Sequence, residues 1–352
     1  MAEMMKGNVA IGEAAIRAGV RFYAGYPITP SSEIMEYLSW RLGEVDDGVF
    51  VQLENEIASI NMVVGAASCG VRAMTASSGN GISLMQEAMS VLADENLPVV
   101  IITMVRYGNG LATLYSSQTD YLRETRGGGH GDYRCFVLCP YTVQEAVDMV
   151  ALAYELAEKY KMVSIIMAEG ALGQMMEPVD LPAFLDVKRG EWGFDGTYTN
   201  AKLGYFDRNS MTEAEELRER YDLIKENEQR WDSTDVADAD YVFMGFGLAG
   251  RSCLGAVEDL QAEGHKVGFI RPITAWPFPE KAFAEIGSNT KGVIVVETNA
   301  MGQMVEDVAM YMKKHGLQMP VYSLPYVYGV PVIQDIKDDF KKIVNNELKE
   351  VF

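Results

Sequence analysis

The stretch Tyr26-Pro-Ile-Thr-Pro-Ser-Ser-Glu33, with Gln52-Leu-Glu-Asn-Glu56 after it, organises the reading of the whole chain. An apolar run over residues 20–26 meets Pro27 and Pro30, which can neither continue a strand ladder nor sit inside a helix. The chain must turn sharply there and leave Thr29, Ser31 and Ser32 at the tip. Either serine is placed to cap a helix that begins at Glu33. A second strand over residues 49–53 ends in Glu54 and Glu56 before another helix. Two strand ends, hydroxyls on one and a carboxylate on the other, suit a small-molecule site. The plainer alternative is a proline-bounded turn beside a solvated acidic loop.

Working outward, strand and helix patterns alternate. Helical spacing over residues 7–19 precedes the first strand, and helices are expected at 33–42, 57–70, 82–94 and 142–159. Strands are expected at 71–77, 99–105, 136–139 and 163–167. The purely apolar run 99–105 is the mark of a parallel strand buried on both faces. This alternation implies an α/β, doubly wound parallel sheet, in which ligands sit beyond the carboxyl ends of the strands. Four such ends are chemically unusual: Y-P-I-T-P-S-S, E-N-E, S-S-G-N-G at 77–81, and R-Y-G-N-G at 106–110. Arg106 leaves a buried strand into a glycine-rich loop, where a guanidinium can grip a carboxylate in bidentate fashion or hold a structural ion pair. The polar stretches S-S-Q-T-D (116–120) and R-G-G-G-H-G-D (126–132) form a long loop of the kind that usually binds something.

Composition excludes several classes of function. A formal charge of −20 over 352 residues disfavours nucleic acid and anionic membranes as partners. No apolar run reaches the roughly 18 residues of a membrane span. M-A-E-M-M-K-G-N lacks a basic region followed by an apolar stretch, so a cytoplasmic location is expected. Cys69, Cys135, Cys139 and Cys253 are spaced for neither a disulfide framework nor a zinc or iron–sulfur site. The three histidines are far apart, and no resident metal is expected.

Composition shifts at about residue 178, and a strongly charged helix opening near Thr212 reads as the solvent-facing helix of an interdomain connector. Beyond it, Tyr241-Val-Phe-Met leads into Gly245-Phe-Gly-Leu-Ala-Gly250 and a helix. This formally matches the dinucleotide fingerprint. The next strand, however, ends in Arg271-Pro272 instead of the acid a ribose requires, which favours a tight strand–helix turn. Strands at 292–296 and 320–324 and helices at 302–315 and 335–346 complete a smaller α/β unit.

Together, Y-P-I-T-P-S-S-E, E-N-E before an Ala/Gly-rich helix, L-P-V-V-I-I-T-M-V-R, G-G-G-H-G-D, G-Q-M-M-E-P and R-P-I-T-A-W-P-F-P resemble the α subunit of the 2-oxoacid:ferredoxin oxidoreductases. Among these the likeness is to the 2-oxoisovalerate and 2-oxoglutarate members, and it covers residues 7–332. The resemblance implies a thiamine-diphosphate-fold, pyrimidine-binding domain over 1–178, a linker over 179–239, and a transketolase C-terminal-like domain over 240–352. It matches Glu56 to the glutamate that hydrogen-bonds N1′ of the aminopyrimidine, a contact that favours the 4′-imino form and readies the thiazolium C2 for deprotonation. Pro27, Ile28, Ser78 and Gly79 fall on the cofactor side. Thr29 and Arg106 match substrate-contacting positions, with Tyr107 and Asn109 beside them. Similar sequences more often continue the arginine as R-G-G; Tyr107 here points to an aromatic wall suited to a branched or aryl 2-oxoacid.

The chain has no G-D-G followed by an asparagine and no C-x-x-C. The resemblance therefore implies thiamine diphosphate shared with a β subunit that holds the diphosphate, Mg2+ and an iron–sulfur cluster. A small ferredoxin-like subunit, with or without a γ subunit, would carry more clusters, and ferredoxin and coenzyme A would be co-substrates. The rival readings are a non-redox thiamine-diphosphate enzyme subunit and a nucleotide-binding regulatory protein.

Overall fold

The computed structural model describes residues 2–110, 113–194 and 210–352. Its large sheet has seven strands in the order Thr274–Trp276, Phe136–Leu138, Val163–Glu169, Val99–Val105, Ala73–Ser77, Phe22–Gly25 and Val49–Gln52. All are parallel except the Thr274–Trp276 edge. Val99–Val105 and Val163–Glu169 are buried at every position, so both faces are covered, as their unbroken apolar runs require. The Gly7–Arg17 helix packs on Ser32–Arg41 and Val143–Tyr160, and the Glu56–Ser68 helix packs on Asn80–Asp94. Thr142 opens the Val143–Tyr160 helix by accepting from Glu145 N at 3.1 Å. Cys135 and Cys139 are buried on either side of the Phe136–Leu138 strand.

The second sheet runs Val321–Pro325, Gly292–Glu297, Tyr241–Met244, Val267–Pro272 and Trp231–Thr234, the last antiparallel to its neighbour. Three details depart from the sequence reading. Ser31 does not cap the Ser32–Arg41 helix; its hydroxyl donates back to Ile28 O at 2.8 Å, because its own backbone is already helical and points the hydroxyl into the turn. The Ser210–Asn227 helix is not wholly solvated: Ile224 is fully buried and Tyr221 packs edge-on against Trp276 at 5.5 Å. The Val163–Glu169 strand runs two residues further than the apolar pattern suggests, which puts Glu169 at its end.

Two polar joints tie the sheets together. Arg271, 1% exposed, donates to both carboxylate oxygens of Glu145 at 2.7 Å and to Asp232, and lies 3.8 Å over the Tyr141 ring. It stands where a ribose-binding acid would be, and its work is structural.

The second joint is Gln118. Its side chain donates to Glu169 Oε1 at 2.6 Å and to Phe246 O at 2.8 Å, and accepts from Thr298 N at 2.9 Å. Its backbone N–H donates to Thr298 O at 2.6 Å. Glu169 in turn accepts from Leu248 N at 2.9 Å, in the first turn of the Gly247–Ala262 helix. Gly247 has φ +54°, and a Cβ there would collide with the Glu169 carboxylate. The glycine-rich turn thus holds a carboxyl group, but an internal one. Glu297 does the same for the Met304–Lys314 helix, accepting from Gln303, Met304 and Val305 N at 2.8–3.1 Å.

Burial pushes the Glu169 carboxyl up to about 7, against the pull of its hydrogen bonds. An unfolded chain releases this proton near 4.5, so the unfolded state loses it first as pH rises. The group's contribution therefore lowers stability between pH 4.5 and about 7 and is flat above, by at most about 3 kcal/mol. Glu169→Gln removes that slope. The melting temperature of the variant minus that of the wild type should rise from pH 5 to pH 8, and a difference independent of pH would contradict the assignment.

Candidate functional site

The residues singled out from the sequence gather at the carboxyl end of the large sheet. Asn55 caps the Glu56–Ser68 helix by accepting from Ala58 N at 2.8 Å, which fixes the helix start and turns Glu56 inward. Glu56 is 3% exposed, whereas Glu54 is exposed. Ser77 Oγ, at the end of its strand, donates to Glu56 Oε1 at 3.3 Å. Among the described residues no cation pairs with this carboxylate. A Cβ on Gly81 would fall inside contact distance of both Glu56 Oε1 and Ser77 Oγ, so glycine there leaves room for the carboxylate. Ser78 is fully buried, and its Oγ has no hydrogen-bond partner. A buried carboxylate beside an unpartnered buried hydroxyl is costly unless a ligand completes both.

Arg106 emerges from the Val99–Val105 strand with 5% exposure. Its Nη1 donates to Thr29 O at 2.8 Å and its Nη2 to Asn80 Oδ1 at 2.9 Å. Gly79, at φ +48°, lets the guanidinium pass close to the backbone. Arg106 thus couples the Tyr26–Pro30 turn to the Ser77–Asn80 turn, and its charge also acts on the nearby Asp120 carboxylate. Pro27 and Thr29 are exposed and Ile28 is half-buried. Tyr107 is half-buried, and Asn109 lies at the exposed tip of its loop.

Beside the turn is a cleft of about 580 Å3, lined by Thr29, Pro30, Leu114, Tyr115, Ser116 and Ala171, with Glu33 and Glu36 on one side. Burial disfavours the charge on Glu33. Hydrogen bonds from Lys6, Asn8 and Gln174 nonetheless hold its carboxyl below the usual range. Asn8 also donates to Pro30 O at 2.7 Å, so this cluster anchors the turn from beneath.

The remaining motifs resolve without a ligand. Gly128 N donates to Gln86 Oε1 at 3.0 Å, Gly129 N to the Tyr133 hydroxyl at 3.2 Å and His130 N to Ser90 Oγ at 2.9 Å, so the glycine run offers no free cradle for phosphate. Among the described residues no cluster of His, Cys, Asp or Glu could hold a metal ion, and no helix is long and apolar enough to cross a membrane. Sequence reasoning missed Ser77, Asn80 and Gly81 as partners, although S-S-G-N-G contained all three. Gln118 lay within the singled-out S-S-Q-T-D stretch, but its partners Glu169, Phe246 and Thr298 had no signal in the sequence.

Residues 13–239 match the family model described as "Pyruvate flavodoxin/ferredoxin oxidoreductase, thiamine diP-bdg", and residues 239–331 match "Pyruvate:ferredoxin oxidoreductase core domain II". The ketoisovalerate oxidoreductase subunit VorB of Methanothermobacter marburgensis is 43% identical over 317 residues, covering 88% of this chain and 89% of that protein. The 2-oxoglutarate synthase subunit KorA of Methanocaldococcus jannaschii is 36% identical over 344 residues, covering 89% and 92%. A solved 2-oxoglutarate:ferredoxin oxidoreductase from Magnetococcus marinus superposes with TM-score 0.85 at 26% identity; it takes in 97% of this chain, which spans 65% of that one. A split-gene transketolase shares the fold alone, with TM-score 0.63 at 13% identity. The two sheets are therefore a thiamine-diphosphate-binding doubly wound domain and a transketolase C-terminal-like domain. The chain belongs to the 2-oxoacid:ferredoxin oxidoreductase family, as an α subunit related to VorB and KorA.

Proposed function

We propose that this chain supplies the pyrimidine-side and substrate-side half of an active site that converts a 2-oxoacid, coenzyme A and oxidised ferredoxin to acyl-CoA, CO2 and reduced ferredoxin, or the reverse. The observation that carries the reading is Glu56, a buried carboxylate whose one described hydrogen-bond partner is a serine hydroxyl. It suits a ring nitrogen that shares a proton with it, and the unpartnered Ser78 hydroxyl suits a polar atom of the same ring. On this reading Pro27, Ile28 and Gly79 lie on the cofactor side. When bound, thiamine diphosphate would supply a thiazolium carbon acid as the source of a nucleophile for a 2-oxo carbonyl. Glu56 holds the proton at N1′ and so governs the basicity of the exocyclic nitrogen across the ring. Thr29 presents its hydroxyl to the substrate. Arg106 fixes the Thr29 carbonyl and lends positive potential to the side where a 2-oxoacid carboxylate lies.

The other half comes from a partner. Ile57, Met62 and Leu84 stand 42–50% exposed on the two helices next to Glu56, an apolar face suited to a β subunit. That subunit would bring the diphosphate, Mg2+ and a cluster, and a small ferredoxin-like subunit would carry electrons onward. A nucleotide-binding role for the Gly245–Gly250 turn is disfavoured, since Glu169 already fills the helix N-terminus. A non-redox thiamine enzyme remains the discriminating rival, and a colourless, iron-free complex would establish it.

In the assembled complex, Glu56→Ala should slow exchange of the cofactor C2 proton by about 100-fold or more, followed by NMR in deuterium oxide. Wild-type exchange in the variant would refute the role. Arg106→Ala should raise the KM for the 2-oxoacid about tenfold or more while the complex still assembles on gel filtration, and an unchanged KM would remove Arg106 from the site.

A further inference from the structure

Three tyrosines from separate parts of the chain meet in one cluster. Tyr115 lines the cleft wall, and Tyr328 from the second domain stacks on it with ring centroids 4.8 Å apart and planes 27° apart. Tyr107, the residue after Arg106, tilts against Tyr328 at 5.4 Å. The backbones are tied as well: Tyr107 N donates to Tyr115 O at 2.7 Å, and Gly329 N to Ser116 O at 2.8 Å. Yet Tyr115 and Tyr328 remain 60% and 54% exposed, so the stack is ordered without being buried. Exposed, mutually braced rings at the mouth of a cleft are suited to receive an apolar group.

Charge sharpens the reading. Among the described residues lining the cleft, the charged side chains are Glu33 and Glu36, both carboxylates. Glu33 is already paired with Lys6 and Glu36 is exposed, so a second substrate carboxylate would be desolvated in this cleft with no lining cation to receive it. A hydrocarbon or aryl side chain would gain by covering Leu114 and the Tyr115 ring face.

We infer that Tyr115, braced by Tyr328 and Tyr107, is the specificity wall of the site. It selects 2-oxo monoacids with branched or aromatic side chains against dicarboxylic 2-oxoacids. The inference rests on the proposed function and adds to it a contribution from the second domain: Tyr328 acts through Tyr115 and is a positioning residue. The loop difference noted at Tyr107 is thereby one member of a three-part wall.

The test uses the complete complex with a viologen acceptor and compares kcat/KM for 3-methyl-2-oxobutanoate, phenylpyruvate, pyruvate and 2-oxoglutarate. Ratios between substrates cancel any loss of folded enzyme. Tyr115→Ala and Tyr328→Ala should each lower the ratio of the branched or aryl acid to pyruvate about tenfold or more, chiefly through KM. Tyr115→Phe and Tyr328→Phe, which keep the ring, should preserve it. Tyr115→Lys should raise turnover of 2-oxoglutarate relative to the branched acid. Unchanged ratios in both alanine variants, or a wild type that prefers 2-oxoglutarate, would overturn the wall while leaving the proposed function standing. A wild-type complex inactive with every 2-oxoacid would overturn both.

Discussion

The architecture turns on one amide side chain. Gln118 satisfies the Thr298 N–H and reaches both Glu169 and Phe246 O, bridging the end of a first-domain strand to the turn and strand end of the second domain. A neutral amide is well suited to this position, since it donates and accepts together and adds no charge beside a buried carboxylate. The segment it anchors continues at both ends into the site. Thr119 Oγ1 donates to Arg106 O at 3.3 Å, and Ser116 pairs with Arg106 in an isolated β-bridge. Nearby, Tyr121 and Arg126 both reach Asp307, at 2.7 Å, and Leu122 N reaches Gln303 at 2.9 Å. The loop beside Arg106 is therefore held from the second domain, although Arg106 itself belongs to the first.

The candidate site has the economy expected of the shared active centre proposed for it. Its polar groups form a connected series running from Glu56 through Ser77 and the Ser78–Asn80 turn to Arg106 and the Thr29 carbonyl. Each lies just beyond the carboxyl end of a parallel strand of the large sheet, in a turn or the first turn of a helix. What the series lacks internally, a partner for the buried Ser78 hydroxyl and a countercharge for Glu56 among the described residues, is what an outside ring would provide.

Much of this was legible in the sequence, and for identifiable reasons. The unbroken apolar run of Val99–Val105 could only be a strand covered on both faces, and the alternation around it set the fold class. Pro27 and Pro30 announced the turn, and E-N-E before a helix placed a carboxylate at a strand end; that Asn55 caps the helix and turns Glu56 inward had to come from the structure. The arginine at 271 argued correctly against a ribose, but its partners Glu145 and Asp232 lie far away in the chain and carry no local pattern. The same holds for Gln118 with Glu169, and for the stacking of Tyr107, Tyr115 and Tyr328. Such pairings are tertiary; periodicity and turn chemistry report on neighbours within a few residues. Cap geometry was also misjudged, since Ser31 turned its hydroxyl back on Ile28.

The Thr274–Trp276 strand carries a consequence for how the polypeptide is made. It leaves the second sheet after Pro272, crosses to pair antiparallel with Phe136–Leu138, and closes the edge of the first sheet. Until the ribosome has delivered that segment, a nascent first sheet exposes the unpaired N–H and C=O groups of an otherwise buried strand. Closure over so long a sequence separation is slow. Vectorial synthesis thus leaves a window for strand-to-strand self-association, and the N-terminal half is not a natural unit to express by itself.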